Sequence, residues 1–88
     1  METDTELEFL NNNLDTFLNF MKEKYPFYHN SNVFLKDMQY GIKHFFEKRN
    51  LKLGYAKTEA ITDKLLTMLE SRGTLRKLNK NTWILNFS

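Results

Sequence analysis

The chain contains no cysteine, a single proline, three glycines and one tryptophan. Without cysteine there is neither a disulfide framework nor a thiolate zinc site, and an intracellular setting is the simplest expectation. No apolar run approaches the roughly 20 residues that span a bilayer, and the acidic start Met1-Glu2-Thr3-Asp4 lacks the basic opening of a signal peptide. A soluble, cytoplasmic protein is expected. With 88 residues there is room for one domain spanning positions 1–88 and one modest core, so a substrate cleft between two lobes is not expected. Catalytic chemistry is equally sparse. The two histidines, His29 and His44, have no cysteine or strained serine to activate, and no close ligand spacing suggests a metal. The chain is therefore expected to be no enzyme, with no cofactor, no metal and no small-molecule substrate.

What is present is charge asymmetry and an abundance of rings. Residues 1–24 hold six carboxylates (Glu2, Asp4, Glu6, Glu8, Asp15, Glu23) against Lys22 and Lys24, a net −4, whereas the remainder carries 11 basic and 5 acidic side chains, a net +6. A basic two-thirds of a chain can attract a polyanion. Aromatics make up 15% of the residues, more than a core of this size obviously requires, so some rings are expected at the surface.

Periodicity predicts three helices. The first runs from about Thr5 to Lys24, capped by Thr3 or Thr5 with Glu6 or Glu8 completing the capping-box spacing, and ended by Pro26. Its main apolar face is Leu7, Leu10, Leu14, Phe17, Leu18 and Met21. A second stripe of Phe9, Asn13, Thr16 and Phe20 lies about half a turn away, and two readings of it stand. Either the C-terminal strand or the Tyr25–Asn32 loop covers it, or it meets a second copy in a homodimer. The second helix is expected from Ser31 or Asn32 to about Arg49, burying Phe34, Leu35, Met38, Ile42, Phe45 and Phe46; Gly41 inside it suggests close helix packing. After an extended turn through Leu51 and Leu53, the third helix runs from Lys57 or Thr58 to Arg72. Its apolar stripe is Ile61, Leu65, Met68 and Leu69. Gly73 ends it, and strands Leu75–Leu78 and Thr82–Phe87 follow, joined by Asn79, Lys80 and Asn81.

This last stretch, KTEAITDKLLTMLESRGTLRKLNKNTWILNF, resembles the second half of a winged helix-turn-helix domain. The order helix, helix, short turn, helix, hairpin extends the resemblance to essentially the whole chain. The implied fold is mainly α with a small β hairpin: three helices and a C-terminal two-stranded wing. In two respects the chain departs from the pattern, since its first helix is long and no short strand is visible before the second. The expected core is Leu10, Leu14, Phe17, Leu18, Phe34, Met38, Ile42, Phe45, Ile61, Leu65, Leu69 and Trp83.

The resemblance implies DNA binding, but not through the usual element. In winged helices the third helix enters the major groove with Arg, Lys, Asn or Gln facing base edges. Here that line carries Glu59, Asp63, Thr67 and Glu70, flanked by Lys57 and Lys64, and carboxylates there are repelled by phosphates. The favourable surface is the outer side of the second helix, Lys36, Gln39, Tyr40, Lys43 and Glu47 with Lys48 at its margin, together with Arg76, Lys77 and Lys80 in the wing. Cations interleaved with rings suit a single strand, whose bases stack on aromatic faces. Tyr40 is the ring most clearly expected at the surface; Tyr28, Tyr55 and Trp83 are further candidates. Trp83 shares its strand face with Leu85 and Phe87 and reads more readily as core. Composition heavy in Asn, Lys, Phe and Leu, on an aromatic and weakly basic winged helix, is similar to the small single-stranded-DNA-binding proteins of staphylococcal chromosome cassettes. That resemblance implies a replication role on a mobile element. Binding of single-stranded DNA with little sequence specificity is thus the leading expectation. A duplex-binding transcriptional regulator and a protein-interaction adaptor using the acidic face remain open, as does a basic ridge that is merely solvated.

Overall fold

In the computed structural model, which describes residues 2–86 and the side chains of residues 5–86, helices α1 (Glu2–Asn12) and α2 (Leu14–Lys24) come first. Strand β1 (Asn32–Phe34) leads directly into α3 (Leu35–Glu47), and α4 (Tyr55–Ser71) is followed by β2 (Leu75–Asn79) and β3 (Thr82–Leu85). The side chain of Thr3 and all of Phe87 lie outside the described residues.

The single first helix expected from periodicity is two helices, broken at Asn13. The Asn13 Nδ2 donates to the Phe9 carbonyl at 2.9 Å, the same oxygen its own backbone N–H reaches at 3.0 Å, and the backbone there leaves helical values at φ −123°, ψ 31°. Asparagine side chains compete with the helical ladder in this way, and three stand in a row at Asn11–Asn13. Since α1 starts at Glu2, Thr5 sits inside it and caps nothing. The break lets α1 pack on α4 while α2 packs on α3. Lys57 Nζ of α4 meets Glu6 Oε2 of α1 at 3.1 Å, which ties the first pair together.

Tyr25 ends α2 in extended conformation, as the residue before a proline is pushed to do. The loop after it is ordered by its own polar groups. Ser31 Oγ accepts from the Tyr28 N–H and donates to the Tyr28 carbonyl, while Asn30, at φ 68°, donates its N–H to the Leu85 carbonyl at 2.7 Å. That last bond and the return bond from Leu85 N–H to the Ser31 carbonyl at 3.0 Å lay the chain beside β3 and start β1. So neither Ser31 nor Asn32 caps the second helix, which begins at Leu35. The sheet has three antiparallel strands in the order β1-β3-β2, not two, with Val33 opposite Trp83 and Lys77 opposite Trp83 on the other side.

Val33, Leu75, Trp83 and Leu85 share the inner face of that sheet and are buried. Alternation puts Phe34 on the opposite face, 47% exposed, which removes it from the expected core. The remaining expected residues hold, with Leu14 and Leu18 only partly buried, and Met21, Phe27, Leu53 and Leu66 join them. At the centre stands Phe45, whose ring meets Phe17 at 5.2 Å and Phe20 at 5.5 Å between centroids. Gly41 is where α3 meets α2: a Cβ built there would overlap the Met21 Sδ.

Two helices end alike. After α3 the N–H groups of Leu51 and Asn50 return to the carbonyls of Phe46 and Glu47, and after α4 those of Thr74 and Gly73 return to Leu69 and Glu70. Both are Schellman closures, which place one residue in left-handed conformation: Asn50 at φ 62° and Gly73 at φ 79°.

Candidate nucleic-acid interface

Helix α3 buries Met38, Ile42, Phe45 and Phe46, so its 3.6-residue period turns Lys36, Tyr40 and Lys43 outward, one above another. Both lysines are exposed and Tyr40 keeps 55% of its surface in solvent. Neither lysine has an ion-pair partner among the described residues. Across from this ridge lies the first turn of α4, held by Thr58, whose Oγ donates to the Gly54 carbonyl at 2.9 Å. Between the two helices is a cleft of about 170 Å³ lined by Lys36, Gln39, Tyr40, Lys43, Tyr55, Thr58 and Glu59. Tyr55 is 78% exposed at its mouth. Behind Tyr40, burial and then the nearby Asp37 carboxylate and Tyr40 hydroxyl push the Tyr25 phenol above its ordinary range.

The other expected site residues divide. Arg76, Lys77 and Lys80 are exposed on β2 and its turn. Lys77 Nζ lies 5.6 Å from the Trp83 ring centroid, shielding it from one side. Trp83 itself is 3% exposed, and its Nε1–H donates to Glu70 Oε1 at 2.6 Å. It is a core residue with a satisfied indole and no stacking platform. Tyr28 is 65% exposed, but in the loop beside the Leu85 end of the sheet. Lys48 is drawn off the ridge: its Nζ sits 5.3 Å from the Phe20 ring, which Lys24 also approaches.

The stripe of Phe9, Asn13, Thr16 and Phe20 is not a free apolar face. Phe9 packs its ring against Phe45 and Phe46, Phe20 is 9% exposed, and Asn13 is turned back onto its own helix; Thr16 alone is exposed. Helix α3 covers the two rings through Phe45 and Phe46.

On α4, Glu59, Asp63 and Thr67 are exposed, and Glu70 is engaged by Trp83. Lys57 is paired with Glu6, so the outer line of this helix is as acidic as its sequence. His44 Nδ1 lies 3.2 Å from Glu47 Oε1, and among the described residues no three histidine or carboxylate side chains gather as metal ligands. No helix among these residues is long and apolar enough to cross a membrane.

Sequence reasoning missed Phe34, assigned to the core but exposed on the sheet. The signal available was Val33, a β-branched residue between two turn-forming asparagines and the helix, which favours a strand over a helix start. Comparison of the chain with protein-family models, curated proteins and solved structures gave no match in any of the three.

Proposed function

We propose that the chain is a winged-helix module that binds single-stranded DNA without catalysis and with little sequence specificity. The element order supports the winged-helix reading, because β1 supplies the short strand ahead of the second core helix that sequence did not reveal. The observation that carries the binding reading is Tyr40, over half exposed between Lys36 and Lys43 on the lip of a cleft that also holds Tyr55. An exposed ring between cations is the combination that single strands require: rings stack bases of any identity, and cations follow the backbone. Duplex reading through α4 is disfavoured by Asp63, which stands exposed where a recognition helix faces phosphates on both sides; Glu59, one turn earlier, is the single carboxylate in the lining of the cleft itself. A replication role on a mobile element is the biological setting this binding would serve.

The test is a pair of variants titrated with a labelled oligothymidylate over a range of salt. Tyr40→Ala should weaken binding about 5- to 150-fold, the equivalent of one stacked base, with the salt slope nearly unchanged. Lys36→Gln with Lys43→Gln should instead flatten the slope, by about 0.7 per lost phosphate contact. If Tyr40→Ala binds as tightly as the parent, the ridge is a solvated surface and the proposal fails.

A further inference from the structure

The outer face of the sheet has no role in the cleft just described, and its composition is unusual. From Ser71 onward the chain contains no carboxylate, and none occurs between Lys24 and Asp37, so every strand of the sheet and both of its flanking loops are free of acidic side chains. Arg76 projects from this outer face and Lys80 stands in the turn between β2 and β3, whereas Lys77 lies on the inner side over Trp83. On the outer face Phe34 stands opposite Thr82, and Ile84 stands between Asn32 and Arg76. A bulge between Lys77 and Asn79 adds Leu78, 54% exposed, at the turn end of β2. The outer face thus sets Phe34, Ile84 and Leu78 among neutral polar groups, with Arg76 as its cation and no carboxylate.

Its connection to the cleft is a single residue. Lys36 lines the cleft that holds Tyr40 and Tyr55, and it also lines a second groove, with Phe34, Leu35 and Asn81. The two concavities therefore meet at one exposed cation. We infer that a bound single strand passes Lys36 into this second groove, stacks a base on Phe34 and continues over the outer face of the sheet toward Arg76. Charge selects the occupant: an acid-free sheet with flanking lysine and arginine attracts a polyanion, and an exposed ring among apolar neighbours receives a base face. This inference rests on single-strand binding at the Tyr40 ridge and extends it to a longer footprint.

Length is the discriminating variable. Lys36 and Lys43 are seven residues apart, about 10 Å along the helix, which a tetranucleotide with about 3.4 Å per stacked step covers. A dodecanucleotide, about 37 Å when stacked, reaches past the protein's 32 Å longest extent. Oligothymidylates of both lengths should be titrated against the parent, Tyr40→Ala and Phe34→Leu; the leucine keeps apolar cover on β1 while removing the ring, and an unchanged melting midpoint confirms folding. Tyr40→Ala should weaken both lengths. Phe34→Leu should weaken the dodecamer about 5- to 150-fold and leave the tetramer unchanged. A dodecamer substituted with photoreactive 5-iododeoxyuridine should crosslink to the peptide containing Phe34 as well as to that containing Tyr40. If Phe34→Leu binds the dodecamer like the parent and no crosslink reaches Phe34, the path over the sheet is wrong while the ridge stands. Equal loss at both lengths would place Phe34 within the cleft site and also overturn the longer path. A parent protein that binds neither length would overturn the ridge reading itself.

Discussion

Gly41 shows how much one missing Cβ decides. In an exposed helix interior, glycine to alanine gains about 1 kcal/mol of helix stability. Here the added methyl would overlap the Met21 Sδ, inside a contact that is fully buried. Overpacking of this kind costs about 1–3 kcal/mol, so the packing penalty should exceed the propensity gain. Chemical denaturation of Gly41→Ala should show a net loss of up to about 2 kcal/mol. Because Met21 is the group in the way, Met21→Ala should cost less in the Gly41→Ala background than alone, and simple additivity of the two would contradict the contact. That glycine was legible in sequence because it interrupts a good helical pattern without ending it. Phe34 was not legible in the same way. Its apolar character fits a helix stripe as well as a strand, and the hydrogen bonds that Leu85 makes with Asn30 and Ser31, 55 and 54 positions away, select the strand.

At the scale of elements, the break at Asn13 determines what the first third of the chain can do. A continuous helix would carry apolar residues on two sides, which is why Phe9 and Phe20 invited a homodimer reading. Bent into α1 and α2, the two halves pack on α4 and α3, while Phe9 ends against Phe45 and Phe46 and Phe20 against Phe45. The break itself was readable in principle from Asn11-Asn12-Asn13, but apolar periodicity continues through it and conceals it. Burial of Phe20 makes a direct prediction. Phe20→Asp places a carboxylate in the aromatic cluster, where an unpaired charge is strongly unfavourable even with Lys24 and Lys48 close by. The variant should be severely destabilised, by several kcal/mol, and circular dichroism should show loss of helix. A folded Phe20→Asp monomer derived from a parent dimer, seen in sedimentation, would mean that Phe20 faces a second copy instead. The turn between β2 and β3, by contrast, was close to its sequence reading, since Asn79-Lys80-Asn81 marks it and Asn79 Oδ1 accepts the Asn81 N–H at 2.9 Å.

For the whole molecule, the chief electrostatic feature is the segregation of charge. Acidic side chains are confined to the helices, with Asp63 exposed on α4 and Glu59 in the cleft between α3 and α4, while the charged side chains of the sheet and its loops are cations. Net charge of +2 conceals this arrangement, and the sequence revealed it only as an imbalance between the first 24 residues and the rest. The distribution in space required the fold, because Lys36 joins the α3 ridge to the sheet only once β1 is in place. The central claim is that this surface selects a flexible strand over a duplex. The measurement that tests it most directly is a titration, at one fixed salt concentration and again across a salt series, of a labelled oligonucleotide presented single-stranded and annealed to its complement. Preference for the single strand is predicted, with affinity falling as salt rises and with little dependence on base sequence. Tighter binding of the annealed duplex, above all to one palindromic site, would contradict it and return the acidic α4 to the role of a groove-reading helix.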